Sequence, residues 1–371
     1  MELDLNQEQK IVSKSARDFL RKECPKSLVR AMRDDEQGYS QELWDKMAAM
    51  GWMGVEIPEA YGGTGGDFLD LCLLLEAMGE ACLPGPFFAT VVLGLSAILR
   101  LGTDEQKKAL LPQVADGKRL MTLAVTEPGN WYGASKISTT AERNNGTYRL
   151  NGVKLFVDNA QAADPIICAA RAGDGLSLFI VDAEKPGLKI KTLKTLGYEK
   201  QCEVVLDNVA VPEAGLLGPV GGAGPFLEAV ENRAAVAKCA EMLGVIGQAF
   251  ELSLAYAKER EQFGRPIGAF QAIQHHLANM AVAMDSARYL TYQAAWKLAQ
   301  ELPAEKEASM AKAYVSQASG LVTRLAHQIH GAISFCDEHD LHLYTRKAKA
   351  AAASFGDADY HLEKVARNLG L

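Results

Sequence analysis

The sequence predicts a mainly α chain with a central β-domain, in the order helices, strands, helices. Two observations carry this. Apolar residues recur at helical spacing over residues 1–118 and again over 221–371. Between them, 119–220 breaks into short β-rich runs separated by turn residues. With 371 residues, 48% of them hydrophobic, the chain can form two or three domains with substantial cores.

In the first region Leu5, Ile11, Val12, Phe19 and Leu20 follow roughly helical spacing. The segment FLDLCLLLEAMGEAC (68–82) is apolar nearly all round, which predicts a buried helix. Thr103 and Gln106 in TDEQKKALL have the spacing of a capping box. In the middle region, strands are expected in LMTLAVTE, TYRLNGVKLFV, PIICAA, LSLFIVD and CEVVLDNVAVP. Asn144-Asn145-Gly146, Asp174-Gly175 and Pro186-Gly187 mark turns between them. In the third region, helices are expected over roughly 226–260, 266–300, 304–331 and 337–353, with a short final segment. Four long amphipathic helices imply an antiparallel bundle, with no sheet inside 226–300.

Net charge is −7, which argues against nucleic acid as a partner, because phosphate binding needs basic patches. The seven cysteines (24, 72, 82, 168, 202, 239, 336) form no CxxC pair, so no metal site is expected, and free thiols fit a reducing compartment. His275 and His276 lie on a helix without a further metal-spaced partner and read as structural or solvent-facing. The N-terminus MELDLNQEQK is acidic and polar, unlike a signal or transit peptide. No run of about 18 apolar residues occurs, so no membrane span is expected. A cytoplasmic location follows as an expectation.

Three segments carry chemistry: YAKEREQFGRPIGAFQAIQHHLANMA (256–281), AVTEPG (124–129) and HQIHGAISFCDEHDLHLYTRKA (327–348). The first resembles the Arg-x-x-Phe-Gly segment and following Phe-Gln helix of acyl-CoA dehydrogenases. The second resembles that family's Thr-Glu-Pro flavin loop, and the third its Gln-x-x-Gly-Gly segment. The resemblance covers essentially the whole chain, in the same order. It implies a helical N-terminal domain (1–118), a β-barrel-like middle domain (119–220) and a C-terminal four-helix bundle (221–371). It also implies FAD as cofactor, an acyl-CoA substrate, and electron-transfer flavoprotein or a similar acceptor.

The same resemblance assigns roles. Val125 and Thr126 would lie at the polar edge of the flavin, and Phe156 and Asp158 would cover the ring. Arg260 would bind the pyrophosphate of a neighbouring subunit's flavin, since two negative charges call for a guanidinium. Phe263, Phe270 and Gln271 would accompany it. Gln328, His330 and Gly331 match the segment where backbone approaches the cofactor, which a glycine permits. Tyr132, Arg233 and Gly356 fall at substrate-binding positions.

The chain departs from the family where the chemistry happens. Removing the weakly acidic α-proton of a thioester needs a positioned base. The family's usual glutamate falls on Phe355, beside Gly356, and a phenyl ring accepts no proton. The alternative position, on the first long bundle helix, falls on Ala234, leaving Glu231 and Glu241 nearby as weak substitutes. An aspartate at 158 would disfavour an anionic reduced ring through like-charge repulsion. Trp131-Tyr132 replaces a small pair and would narrow the substrate mouth, line a site for a bulky ring, or pack on the sheet.

The residues that the family donates to a neighbour are thus kept, and those shaping the chain's own site are altered. Three readings follow. The chain is a subunit of a homo- or hetero-tetrameric dehydrogenase acting on a bulky or non-standard acyl group. Alternatively, it is a silent structural subunit completing a partner's FAD site. In the third, it oxidises a non-CoA substrate.

Overall fold

The computed structural model describes residues 5–371 apart from Trp131 and Ser135, so the expectation for Trp131 lies outside the described residues. The N-terminal helices are α1 (Gln7–Glu23), α2 (Lys26–Asp34), α3 (Gln41–Ala49), α4 (Phe68–Ala81), α5 (Leu95–Leu101) and α6 (Asp104–Ala115). A π-helical stretch, Phe88–Gly94, runs directly into α5. The capping box at α6 forms as expected: Thr103 Oγ1 accepts from Gln106 N, and Gln106 Oε1 accepts from Thr103 N. Helix α4 is buried on almost every side, as its composition requires. Helix α1 differs from expectation. It packs through Ser13, Ala16 and Leu20, while Ile11 and Val12 face outward.

The middle strands are β1 (Thr122–Ala124), β2 (Thr140–Asn144), β3 (Thr147–Asp158), β4 (Ile166–Ala172), β5 (Gly175–Val181), β6 (Leu188–Leu193), β7 (Gln201–Pro212) and β8 (Leu216–Leu217). They form one sheet in the order β6-β7-β3-β2-β4-β5-β8, with β1 parallel to β4. Strands β2, β6 and β8 escape the sequence reading. TAERN in β2 is polar, LKIKTL in β6 is an exposed edge strand whose lysines block further pairing, and β8 has two residues. The β2–β3 hairpin turns at Asn145 and Gly146, both with positive φ (48° and 75°), which explains the Asn-Gly signal.

The C-terminal helices are α7 (Gly224–Glu259), α8 (Gln271–Ala299), α9 (Glu305–His330), α10 (Leu341–Ala353) and α11 (Ala358–Asn368). One expectation needs correcting. The break between α7 and α8 holds a small antiparallel ribbon, β9 (Glu261–Gln262) with β10 (Arg265–Pro266), because Gly264 at φ 76° reverses the chain there. Helices α4 and α7 cross at close range. A Cβ on Gly79 would stand 2.0 Å from the Glu241 carbonyl, and one on Gly244 would stand 1.9 Å from that of Glu76. This crossing sets the Lys238–Glu241 turn of α7 against the inner end of the cavity described next.

Candidate active site

A cavity of about 760 Å³ opens between the sheet and the helices. The sheet and the loop after β1 contribute Val125, Thr126, Phe156 and Asp158; the helices contribute Phe88, Glu231, Lys238, Glu241 and Lys347, and the turn between α10 and α11 contributes Phe355. Nine non-glycine residues of the described chain have positive φ, and five of them line this cavity: Cys82, Phe156, Asn159, Tyr198 and Phe355. Left-handed backbone costs on the order of 1–2 kcal/mol at an L-residue and gathers where function fixes geometry. That concentration makes this cavity the candidate functional site.

The Thr-Glu-Pro loop is held by Glu127, to which the sequence reading gave no role. Its carboxylate accepts from Lys154 Nζ at 2.6 Å, from Ser138 N and Oγ (both 2.6 Å), and from Thr139 N and Oγ1 at 3.1 and 2.5 Å. Burial pushes this carboxyl up, but Lys154 and the hydroxyl donors overcome it and hold it at about 2. The staple fixes Val125 and Thr126 on the cavity wall, and the Thr126 carbonyl accepts from Leu155 N at 2.9 Å.

Register then shifts between Lys154 and Val157 of β3 against Val204 and Cys202 of β7, a bulge of one residue. The bulge turns Phe156 out of the ladder at φ 53°, where it is 43% exposed. Asp158 follows, accepting from Gln201 Nε2 at 2.8 Å. Burial pushes the Asp158 carboxyl up, toward its neutral form.

On the helical side, Phe355 stacks on Phe88 with centroids 5.6 Å apart. Its backbone is at φ 55°, and its carbonyl is met by His361 Nε2 at 2.8 Å. Gly356, at φ 94°, does not line the cavity. Its carbonyl accepts from Lys312 Nζ at 2.7 Å. Ala234 is fully buried and away from the cavity. Glu241 is clamped by Lys238 at 2.6 Å and Lys347 at 2.8 Å; burial works upward on its carboxyl, and the two ammoniums hold it at about 2. A carboxylate so acidic is a poor base. Glu231 accepts from the Tyr360 hydroxyl at 2.6 Å, and Lys364 lies 3.8 Å away.

Tyr132 lines the cavity, donates to the Ala353 carbonyl at 3.3 Å and packs 5.0 Å from Tyr360. Arg233 does not reach the cavity wall. It pairs with Glu56 and lies 3.9 Å above the Phe68 ring, tying α7 to α4.

A second group of residues lies outside this cavity. Arg260, Phe263, Gln271, Gln328 and Gly331 are all exposed, Phe263 to 93%. Phe270 is half-buried under the Arg265 guanidinium, 4.3 Å from its ring. His330 is buried instead, stacked on Tyr256 at 4.6 Å with Nδ1 2.8 Å from the Ala326 carbonyl. The structure therefore separates the predicted cofactor residues into an inner set on the cavity and an outer set on the bundle surface.

Sequence reading missed Lys238, Lys347 and Glu199. Lys238 and Glu241 left a signal, two opposite charges three apart in the apolar run AAVAKCAEMLGVIG. Lys347 and Glu199 left none, being distant in sequence.

The chain matches the acyl-CoA dehydrogenase N-terminal domain over residues 6–118, the middle domain over 122–209 and the C-terminal domain over 228–370. It is 36% identical to the probable acyl-CoA dehydrogenase YngJ of Bacillus subtilis over 100% of both chains. The fold is similar to butyryl-CoA dehydrogenase from Megasphaera elsdenii, with TM-score 0.93, 30% identity and 100% of both chains covered. It is also similar to a chain of the ChsE4–ChsE5 complex from Mycobacterium tuberculosis, with TM-score 0.91, 26% identity, and 100% and 99% coverage. The chain belongs to the acyl-CoA dehydrogenase family, a family of flavoprotein oxidoreductases. Among the described residues no helix is long and apolar enough to cross a membrane.

Proposed function

We propose that this chain is a subunit of an FAD-dependent dehydrogenase of acyl-CoA thioesters, paired with a second family member that supplies the base. The carrying observation is the contrast between its two sets of residues. The inner cavity presents Phe355 where the family's base stands, and the two weak substitutes, Glu231 and Glu241, are engaged by Tyr360 and by Lys238 and Lys347. The outer face leaves Arg260, Phe263, Gln271, Gln328 and Gly331 uncovered, as a donor to a neighbour's flavin needs. The ChsE4–ChsE5 relative is itself a complex of two differently named chains, which supports this arrangement.

The residues fit FAD in both places. Val125, Thr126, Phe156 and Asp158 would hold a flavin ring in the cavity, and the strained Phe156 backbone on the sheet side of an open cavity favours this. Arg260 would hold the pyrophosphate of a neighbour. FAD supplies the hydride acceptor. The base acts in the partner's cavity, whose flavin this chain's Arg260 would complete, while in this chain's own cavity Tyr132 would narrow the mouth toward a bulky or non-standard acyl group. Electron-transfer flavoprotein or a similar protein would take the electrons. We also propose domain limits near 118 and 220.

Purification alone and with a co-expressed partner tests this by visible spectrum. Flavin content that rises with the partner, and bleaching by acyl-CoA only in the pair, is the expected result. Bleaching by acyl-CoA in the isolated chain overturns the need for a partner. Bound flavin that no acyl-CoA reduces, with or without a partner, favours a non-CoA substrate.

A further inference from the structure

The stretch Phe88–Gly94 is wound as a π-helix, not as an α-helix. Such winding is rare and recurs at functional sites. Here it shapes the cavity wall, where Phe88 and Leu93 both stand. In an α-helix, residues five apart point about 140° away from each other. The wider turn of a π-helix brings them to one face. The stretch is anchored from behind. Thr90 Oγ1 donates to the Met121 carbonyl and accepts from Met121 N, both at 3.2 Å. A Cβ on Gly94 would stand 2.6 Å from Met121 Cβ, so the two segments are in contact.

Phe88 thereby enters a three-layer stack. Lys238 Nζ lies 3.7 Å from its ring centroid, and the Phe355 ring lies 5.6 Å away at an interplanar angle of 30°. Rings this close leave no room for an ammonium between them. Lys238 therefore occupies the face of Phe88 turned away from Phe355, and it is itself fixed by Glu241 at 2.6 Å. Ammonium, ring and ring follow one another, and the outermost layer, Phe355, lines the cavity. Both phenylalanines are half-buried, and the Phe355 backbone is held by His361. Val125, Thr126 and Phe156, the wall proposed for the flavin, belong to the sheet side of the cavity. A group laid on Phe355 does not compete with the cofactor for that wall.

A linear acyl chain would gain from Phe355 only by burial, which any apolar side chain supplies. A flat aromatic ring would gain more, because ring contacts in stacked or edge geometry add to the effect of buried area. The stack is also ordered before a ligand arrives, so binding need not order it.

We propose that the cavity face of Phe355, backed by Phe88 and Lys238, is a stacking site for a flat ring carried by the acyl group. The proposal rests on the acyl-CoA reading given above and names its substrate class. Calorimetric titration of the assembly as purified tests it, with phenylpropionyl-, cyclohexylpropionyl- and nonanoyl-CoA, whose acyl groups have equal carbon number. The phenyl thioester should bind about threefold to tenfold more tightly than the cyclohexyl one, the worth of one aromatic contact. Phe355→Leu should bring that ratio near unity, and Phe355→Tyr should keep it. Phe88→Leu, which removes the backing ring and keeps the wall apolar, should lower the ratio and leave nonanoyl-CoA binding unchanged. A ratio near unity in the unaltered assembly overturns the proposal, as does a high ratio that survives Phe355→Leu. Either result leaves the acyl-CoA reading standing, whereas binding of none of the three overturns both. If Phe355→Leu does not fold, Phe88→Leu decides: an unchanged ratio overturns the proposal.

Discussion

Single residues decide the chemistry of this cavity, and Glu127 and Phe355 show how. The Glu127 carboxylate, held at about 2 against an ordinary 4.5, stabilises the fold fully above pH 4.5, and this contribution is lost as pH falls toward 2. Glu127→Gln should therefore flatten the acid limb of a stability–pH curve. It should also cost about 3–5 kcal/mol near neutrality, because Lys154 stays buried without its counter-charge. Urea unfolding at several pH values measures both. At Phe355 the informative change is Phe355→Glu. Where the assembly binds acyl-CoA in this cavity, a glutamate there should raise α-proton abstraction about 10²–10⁴-fold. Exchange of deuterium into the α-position reads this directly. Glu231→Gln and Glu241→Gln should leave activity of the full assembly intact. If the chain alone dehydrogenates an acyl-CoA and either variant abolishes that, the need for a partner's base is refuted.

At the scale of elements, the end of β3 does most to shape the site. Its one-residue bulge lifts Phe156 from the ladder while Val157 and Asp158 keep their partners Cys202 and Gln201. Deleting Phe156 should make the β3–β7 pairing regular from Lys154 to Asp158, leave the separate register shift at Leu150–Gly152, and leave the far-ultraviolet dichroism spectrum unchanged. Flavin retained per chain after gel filtration should fall. Equal retention would show that Phe156 does not cover the ring. The sequence made the strand itself legible, since TYRLNGVKLFV has β-rich texture bounded by Asn-Gly. The bulge was not legible, because a register shift depends on the facing strand. The same reason hid β2 and β6, whose residues gain strand geometry only from neighbours. Helix α4 was readable because its apolar surface runs all round, and α6 because its cap is local. The charged cavity wall was half readable. The Lys238–Glu241 turn stands out in an apolar run, but its closure by Lys347 and Glu199 needs the folded chain.

The whole molecule carries an inner cavity and, apart from it, an exposed patch on the bundle. Arg260 caps the end of α7 just before the β9–β10 ribbon, and Phe263 stands almost fully exposed at φ 54° on that ribbon. Arg260→Ala should leave the chain's own unfolding transition unchanged within about 0.5 kcal/mol, as exposed substitutions generally do. Flavin affinity of the assembled protein should weaken by about 1.5–3 kcal/mol, the value of a hydrogen bond to a charged group. Flavin release during dialysis of the assembly measures it. Unchanged release would detach Arg260 from the cofactor.

The backbone at position 355 is fixed from beneath, by His361 on the Phe355 carbonyl and by Lys312 on the Gly356 carbonyl, so neither bond involves the side chain that faces the cavity. The position is a socket whose occupant can be exchanged without rebuilding its mount. Gain or loss of a proton acceptor there is a change of one residue in evolution as in the laboratory. A lineage of duplicated chains can divide labour by swapping that occupant alone, one copy keeping the chemistry and the other keeping the shape.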